Sequence, residues 1–235
     1  MAEPQNSTPL WPGVPLALAS AALFGAVAPL SKVLLESTSP FMLAGLMYLG
    51  AGLGLAAYRL FRDAFAPESS EAQLRRADMP WLTIAIAMGG VVGPVLLMLG
   101  VSRTTASSAA LLLNMEGLAT MAIAWVVFRE NVDRRLMFGA FAILAGAALL
   151  SWEGHGISID RGALLVIGAC FAWGVDNNFT RKISATDPVV IAMLKGLIAG
   201  AVNVGIALLM GVKVPSFPAI SGASLADFSE SASAL

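Results

Sequence analysis

Of 235 residues, 57% are hydrophobic and only 12% are charged, against about 25% charged in an average soluble domain. The 14 Lys+Arg and 15 Asp+Glu are too few to cover a soluble surface, and mean hydropathy is +0.79. This excludes an ordinary cytosolic enzyme and a disordered chain. A net charge of −1 leaves no basic footprint for phosphates, so no nucleic-acid partner is expected. The lone Cys170 has no partner for an internal disulfide, and His155 is the sole histidine, so neither a metal site nor a cofactor is expected. What is left is an all-α polytopic membrane helical bundle with the lipid bilayer around it.

A helix needs about 20 apolar residues to cross the hydrocarbon. Seven such runs follow in chain order: Gly13–Leu35, Pro40–Phe61, Pro80–Val101, Ala106–Phe128, Leu136–Trp152, Gly162–Thr180 and Pro188–Val212. Each is apolar nearly all round, as lipid contact requires. The first is too long for a signal peptide, and residues 1–12 hold Glu3 without Lys or Arg. Basic residues orient the bundle. With the N-terminus cytoplasmic, the inner loops hold Arg59, Arg62, Arg75, Arg76, Arg129, Arg134, Arg135, Arg181 and Lys182; the outer segments hold only Lys32, Arg103, Arg161 and Lys213. The Arg62–Met79 connector is polar and reads as solvated. Trp11, Trp81 and Trp152 lie near span ends and read as interface anchors.

An internal repeat is written along the chain. Phe24-Gly25 lies on Trp173-Gly174 and Ser31-Lys32 on Thr180-Arg181, 149 residues on. After a one-residue gap the offset is 148. Ser37-Thr38-Ser39-Pro40 then lies on Ala185-Thr186-Asp187-Pro188, and Ala44, Leu46, Leu49, Ala51 and Gly52 match Ala192, Leu194, Leu197, Ala199 and Gly200. Residues 13–152 form a first five-helix unit, 162–212 a partial second unit of two helices, and 213–235 an irregular tail. Five crossings are odd, so the second copy enters from the opposite side. This is an incomplete 5+5 inverted repeat, the arrangement of secondary transporters. Three helices of the second copy are missing, which makes a truncated product the expectation.

Leu23-Phe24-Gly25 with Pro29 and Lys32, the small-residue run Ser107-Ser108-Ala109-Ala110-Leu111-Leu112-Leu113, and Ala124-Trp125 through Phe128-Arg129-Glu130 resemble the drug/metabolite transporter superfamily, EamA type. The resemblance covers Gly13–Val212. It implies ten helices in two five-helix repeats with the N-terminus inside, and outward carriage of a small organic solute by alternating access. Glu116 stands where many relatives carry proline, which points to a divergent subgroup.

Charge at the bilayer centre costs about 2.5–3.5 kcal/mol on insertion scales, so Glu116, Asp176 and Lys195 need a reason. Asn114, Asn177, Asn178 and Asn203 accompany them. At about 1.5 Å per residue, Asp176 is roughly 7–8 Å and Lys195 roughly 10–11 Å from the inner end of consecutive antiparallel helices, which makes an ion pair geometrically feasible. Glu116 is about 15 Å from the outer end of its span on the same rise. These groups are candidates for contact with a small-molecule substrate or a coupling proton, with Glu116 the favoured titrating carboxylate. For Asp176 and Lys195 a purely structural pair is an equal alternative. Trp173 and its repeat counterpart Phe24 are candidates for a cavity wall. Pro29 and the Asp176-Asn177-Asn178 run are read as helix interruptions at corresponding places, a pointer to a binding site. Lys32 reads as a snorkelling end residue. Gly50/Gly54, Gly89/Gly93, Gly168/Ala172 and Gly196/Gly200 read as packing pairs.

Three rival readings fit parts of the sequence. Seven helices with a lysine in the last also describe a retinal photoreceptor, but the charge bias, the few aromatics and the repeat argue against it. A membrane enzyme lacks its constellation of groups, so no catalytic residues are assigned. An inert carrier fragment follows from the missing helices. A homodimer is the further partner considered.

Overall fold

A computed structural model describes residues 13–65, 74–131, 133–150 and 160–215. Trp11, Trp152, His155, most of the expected tail and the middle of the Arg62–Met79 connector lie outside the described residues. All seven apolar runs are helices: α1 Gly13–Leu34, α2 Pro40–Phe65, α3 Arg76–Val101, α4 Ala106–Val126, α5 Arg134–Leu150, α6 Arg161–Arg181 and α7 Pro188–Leu209. Side-chain oxygens start several of them. Thr105 accepts from Ser108 N at 3.1 Å, Asp160 from Ala163 N at 2.5 Å, and Asp187 from Val189 N at 2.8 Å, with Pro188 in the first turn. Each satisfies an amide that the helix leaves without a partner.

Among the described residues five helices, α1 to α4 and α7, are long and apolar enough to cross a bilayer. The described part of α5 is 17 residues long. The polar one, α6, has another reason: it sits in the middle. Its buried residues run from Gly162 to Asn178. Val166, Ala169 and Cys170 join Val101, Ala109 and Leu113 of the neighbouring segments in the main core. A helix packed on several sides can carry Asp176 and Asn178, both buried, away from lipid.

The α2–α7 crossing is antiparallel and built on glycine. A Cβ on Gly52 would lie 2.5 Å from Leu197 N, and one on Gly200 2.5 Å from Leu49 N. The 148-residue offset exchanges Gly52 with Gly200 and Leu49 with Leu197, so the two helices present matching surfaces to each other. Gly45 and Gly196 complete the seam against Val204 and Tyr48. Gly50 and Gly54, read as a packing pair, instead face open space. At 3.6 residues per turn, two residues turn a side chain to the far face, so Gly52 on the seam puts both of them away from it.

Helix breaks fall elsewhere than expected. α1 runs through Pro29, whose side is exposed, and α6 runs through its Asn pair. Asn178 Nδ2 donates to Gly174 O at 2.8 Å, one turn back, and so stays within the helical frame. The irregular helices are α3 and α4. In α3 a π-helical stretch covers Ile86–Val92, and Gly93 N bonds to Met88 O. In α4 the turn at Leu113-Asn114 tightens, with Glu116 N bonding to Leu113 O at 3.1 Å. That frees Leu112 O, which accepts from Cys170 Sγ at 3.4 Å.

The two ends of the bundle sort the charges. At one end Arg62 pairs with Asp187 and Arg181 with Glu130, and Trp81 and Phe128 pack on Phe179 with Lys182 over the Phe128 ring. At the other, Lys32 Nζ donates to Val101 O and Thr104 O, each at 2.8 Å. Lys32 is therefore not snorkelling. It neutralises carbonyls at the end of α3, where a cation is favoured, and pins α1 to the α3–α4 turn.

Gly200→Ala is expected to lower stability by about 1–3 kcal/mol, the usual penalty of overpacking, whereas Gly50→Ala is expected to stay within about 0.5 kcal/mol. Thermal melts of the two variants in one detergent make the comparison; equal losses would refute the seam.

Candidate functional site

Pro94 organises the site. It has no N–H, so in either helical register it cannot bond the carbonyls one turn back. Those are Gly89 and Gly90, and both find side chains instead. Tyr48 Oη of α2 donates to Gly89 O at 2.7 Å and Trp173 Nε1 of α6 donates to the same oxygen at 2.9 Å. Asn203 Nδ2 of α7 donates to Gly90 O at 3.1 Å. A wide turn in α3 thereby ties three helices together. The missing side chain at Gly89 also makes room, since a Cβ there would lie 1.9 Å from Asp176 Oδ2.

Asp176 fills that room. Lys195 Nζ donates to Oδ1 at 2.6 Å and to Oδ2 at 2.5 Å, and Thr180 Oγ1 donates to Oδ1 at 2.8 Å. Asp176 is only 5% exposed. Its desolvated charge needs this partner, because a buried carboxylate left alone is strongly disfavoured.

On the opposite side of α6, Asn177 Nδ2 donates to Glu116 Oε1 at 2.9 Å and to Thr120 Oγ1 at 3.1 Å. Asn178 Nδ2 donates to Thr120 O at 2.9 Å. Gly174 permits this approach, lying directly against the Ala119–Thr120 backbone. The candidates Glu116, Asp176, Asn177, Asn178, Lys195 and Trp173 thus converge on α6 and its neighbours. Asn114 does not join them: it is exposed and donates to Leu111 O of its own helix at 3.0 Å. Pro29 does not either.

Two chambers flank α6. A vestibule of about 580 Å³ lies along α2 and α7, lined by Lys195 and Tyr48 of those helices and by Ser184 and Thr186 of the α6–α7 turn. A groove of about 590 Å³ lies along α4 and α5, with Asn177 inside and Arg181 and Glu130 at its rim. A smaller cavity of about 170 Å³ contains both Trp173 and Phe24, so the two repeat counterparts share one wall. The volumes of the two chambers suit small organic ligands.

Tyr48, Thr120, Thr180 and the Gly89–Gly90 carbonyls escaped the sequence reading. A signal did exist: Gly89-Gly90 followed by Gly93-Pro94 in an apolar run marks carbonyls that must find donors elsewhere. No metal-binding cluster occurs among the described residues.

Residues 11–152 match the EamA-like transporter family. The chain belongs to the EamA-like transporter family. A curated relative, an uncharacterized transporter of Methanothermobacter thermautotrophicus, is 30% identical over 202 residues, which cover 80% of this chain. The chain spans 59% of that relative's length. A solved crystal structure is similar with a TM-score of 0.55 at 20% identity, over 85% of this chain and 70% of that one; at that identity the likeness carries the fold. This EamA-like protein is an integral membrane protein. Its Phe128-Arg129-Glu130 segment closes the α4 side of one end: Arg129 adopts a left-handed conformation with φ 53°, and Glu130 pairs with Arg181.

At the vestibule mouth, the Arg62 guanidinium, 2.7 Å away, holds the Asp187 carboxyl below the usual carboxylate range. A lowered value stabilises the folded state above the ordinary aspartate range, and that contribution is lost as pH falls through the lowered value. Asp187→Asn keeps the helix cap but removes the ion pair. The stability gap between wild type and variant is expected to be constant above about pH 5 and to shrink below the ordinary aspartate value of 3.8. Melts between pH 3 and pH 7 measure it; a gap that widens on acidification refutes the assignment.

Proposed function

We propose that this EamA-like protein carries a small organic metabolite across a bacterial inner membrane by alternating access, outward, with its N-terminus in the cytoplasm. The observation that carries this reading is the Asp176–Lys195 pair, buried within the bundle with Lys195 lining the vestibule. Intramembrane charge lining a water-reachable cavity marks a solute or ion path. The reciprocal Gly52–Leu197 and Gly200–Leu49 contacts support residues 13–152 and 162–212 as inversely oriented copies, the basis of a two-sided carrier. The sequence holds no phosphate-binding glycine loop, so a gradient is the proposed energy source. The mixed-sign site suits an amphipathic or zwitterionic solute. Glu116, across α6 from the ion pair, is proposed to titrate with the coupling proton. The Arg62 end of the bundle, rich in basic residues, is proposed to face the cytoplasm.

Two experiments test the reading. Single cysteines at Arg75 and at Lys182, read against the buried Cys170, are expected to react with an impermeant thiol reagent from the same, cytoplasmic face; opposite faces would end the inverted-repeat account. In proteoliposomes, Glu116→Gln is expected to lose stimulation by a pH gradient while retaining downhill flux. Unchanged gradient-driven flux at a normal protein level removes Glu116 from coupling.

A further inference from the structure

The Asp176–Lys195 pair is asymmetric toward the vestibule. The lysine side chain is 18% exposed and the aspartate 7%. Lys195 is the one charged residue among those lining the chamber, and Asp176 is not among them. The carboxylate lies behind, in the space opened by Gly89. An ammonium has three donors, and the described residues give Lys195 no acceptor beyond Asp176. A solute entering the vestibule therefore meets a cation with donor capacity to spare. Around it stand the hydroxyls of Tyr48, Thr180, Ser184 and Thr186 and the apolar walls of Met47, Leu55 and Ile191.

We propose that the vestibule binds an organic monoanion with an apolar body, and that the anion replaces Asp176 as the counter-ion of Lys195 while Asp176 takes up a proton. This inference rests on the carrier reading above and narrows its amphipathic solute to a monoanion; the proton taken by Asp176 neutralises the bound anion and is distinct from the coupling proton proposed for Glu116. The charge balance requires the proton. In the empty site the carboxylate and the ammonium cancel. Bound anion and ammonium also cancel, which leaves Asp176 as an uncompensated charge at low dielectric, a state that is strongly disfavoured. One proton drawn from the water of the vestibule restores neutrality: Asp176–COO⁻ paired with Lys195–NH₃⁺, plus anion and H⁺, becomes Asp176–COOH and Lys195–NH₃⁺ paired with the anion. No bond other than O–H forms. The loaded and the empty site are both neutral, which is the condition for either to cross between access states.

The neighbours leave this exchange to Asp176. From α2 comes Tyr48, already donating to Gly89 O. The part of α3 facing the pair, Ile86–Val92, has no titratable side chain. From α4 comes Glu116, held by Asn177 on the far side of α6. From α6 itself comes Thr180, which does not titrate, and from α7 only Lys195. At the mouth, Arg62 and Asp187 are already paired.

The test uses the purified full chain in detergent with benzenesulfonate, an anion that stays ionised, so that any proton taken up belongs to the protein. Benzyltrimethylammonium and benzamide are the cationic and neutral controls. Benzenesulfonate is expected to raise the melting temperature, saturably, with uptake of about one proton per bound anion, read by an indicator dye in weak buffer; the controls are expected to do neither. Asp176→Asn is expected to bind the anion at least as tightly with no proton uptake. Asp176→Asn combined with Lys195→Met, which leaves no lone charge and so protects folding, is expected to lose binding by tenfold or more. Preference for the cation, binding without proton uptake in the wild type, proton uptake that persists in Asp176→Asn, or binding that survives in the double variant would each overturn the proposal. Binding with proton uptake but no flux in proteoliposomes would leave the anion site standing and bring down the carrier reading alone.

Discussion

Charge inside a membrane bundle has to be neutralised at hydrogen-bond range, and the Asp176–Lys195 contact does this. The rest of the architecture follows from making that contact possible. Asp176 needs a helix opposite it with no side chain, which Gly89 supplies. Lys195 needs α7 drawn close to the centre, which the glycine seam with α2 supplies. The helix that carries Asp176 needs neighbours on several sides, which α3 and α4 supply. Remove any of these and an ion is left unpaired in a medium that does not tolerate it.

The same economy governs the backbone. Around Pro94 and the wide turn before it, the interior carbonyls of Gly89 and Gly90 are taken by three donors from three helices. A defect within one helix becomes the joint between four. In α4 the tightened turn beside Asn114 releases Leu112 O to Cys170. Buried backbone groups must be paired, so each irregularity dictates which side chains gather around it. The polar residues of this bundle are there as much for those carbonyls as for any solute.

Division of labour along α6 gives the site its shape. One face holds the ion pair beneath the vestibule, and the other holds Glu116 through Asn177 above the groove. The residues by which the chain resembles its family sit mostly at the edges of this arrangement. Lys32 fastens one end, Phe128 to Glu130 fasten the other, and Phe24 shares a cavity wall with Trp173. The family resemblance is thus carried by the frame, while the buried ion pair is set by side chains on α6 and α7.

Composition and the run lengths alone determined the helical membrane class and the positions of all seven helices, because the hydrocarbon imposes a length and a polarity on any segment that crosses it. Basic residues likewise predicted which loops share an end, and depth counting along two adjacent helices was enough to set Asp176 beside Lys195. Rotation about each helix axis was not legible. Gly50 and Gly52 look equivalent in the sequence, yet one faces open space and the other meets α7; Asn114 and Asn177 look alike, yet one turns to its own helix and the other to Glu116. A run that is apolar all round carries no stripe to say which face turns inward. Only packing decided that, and with it where Pro94 would send its carbonyls, because a released acceptor is satisfied by whichever donor the neighbouring helices bring within reach.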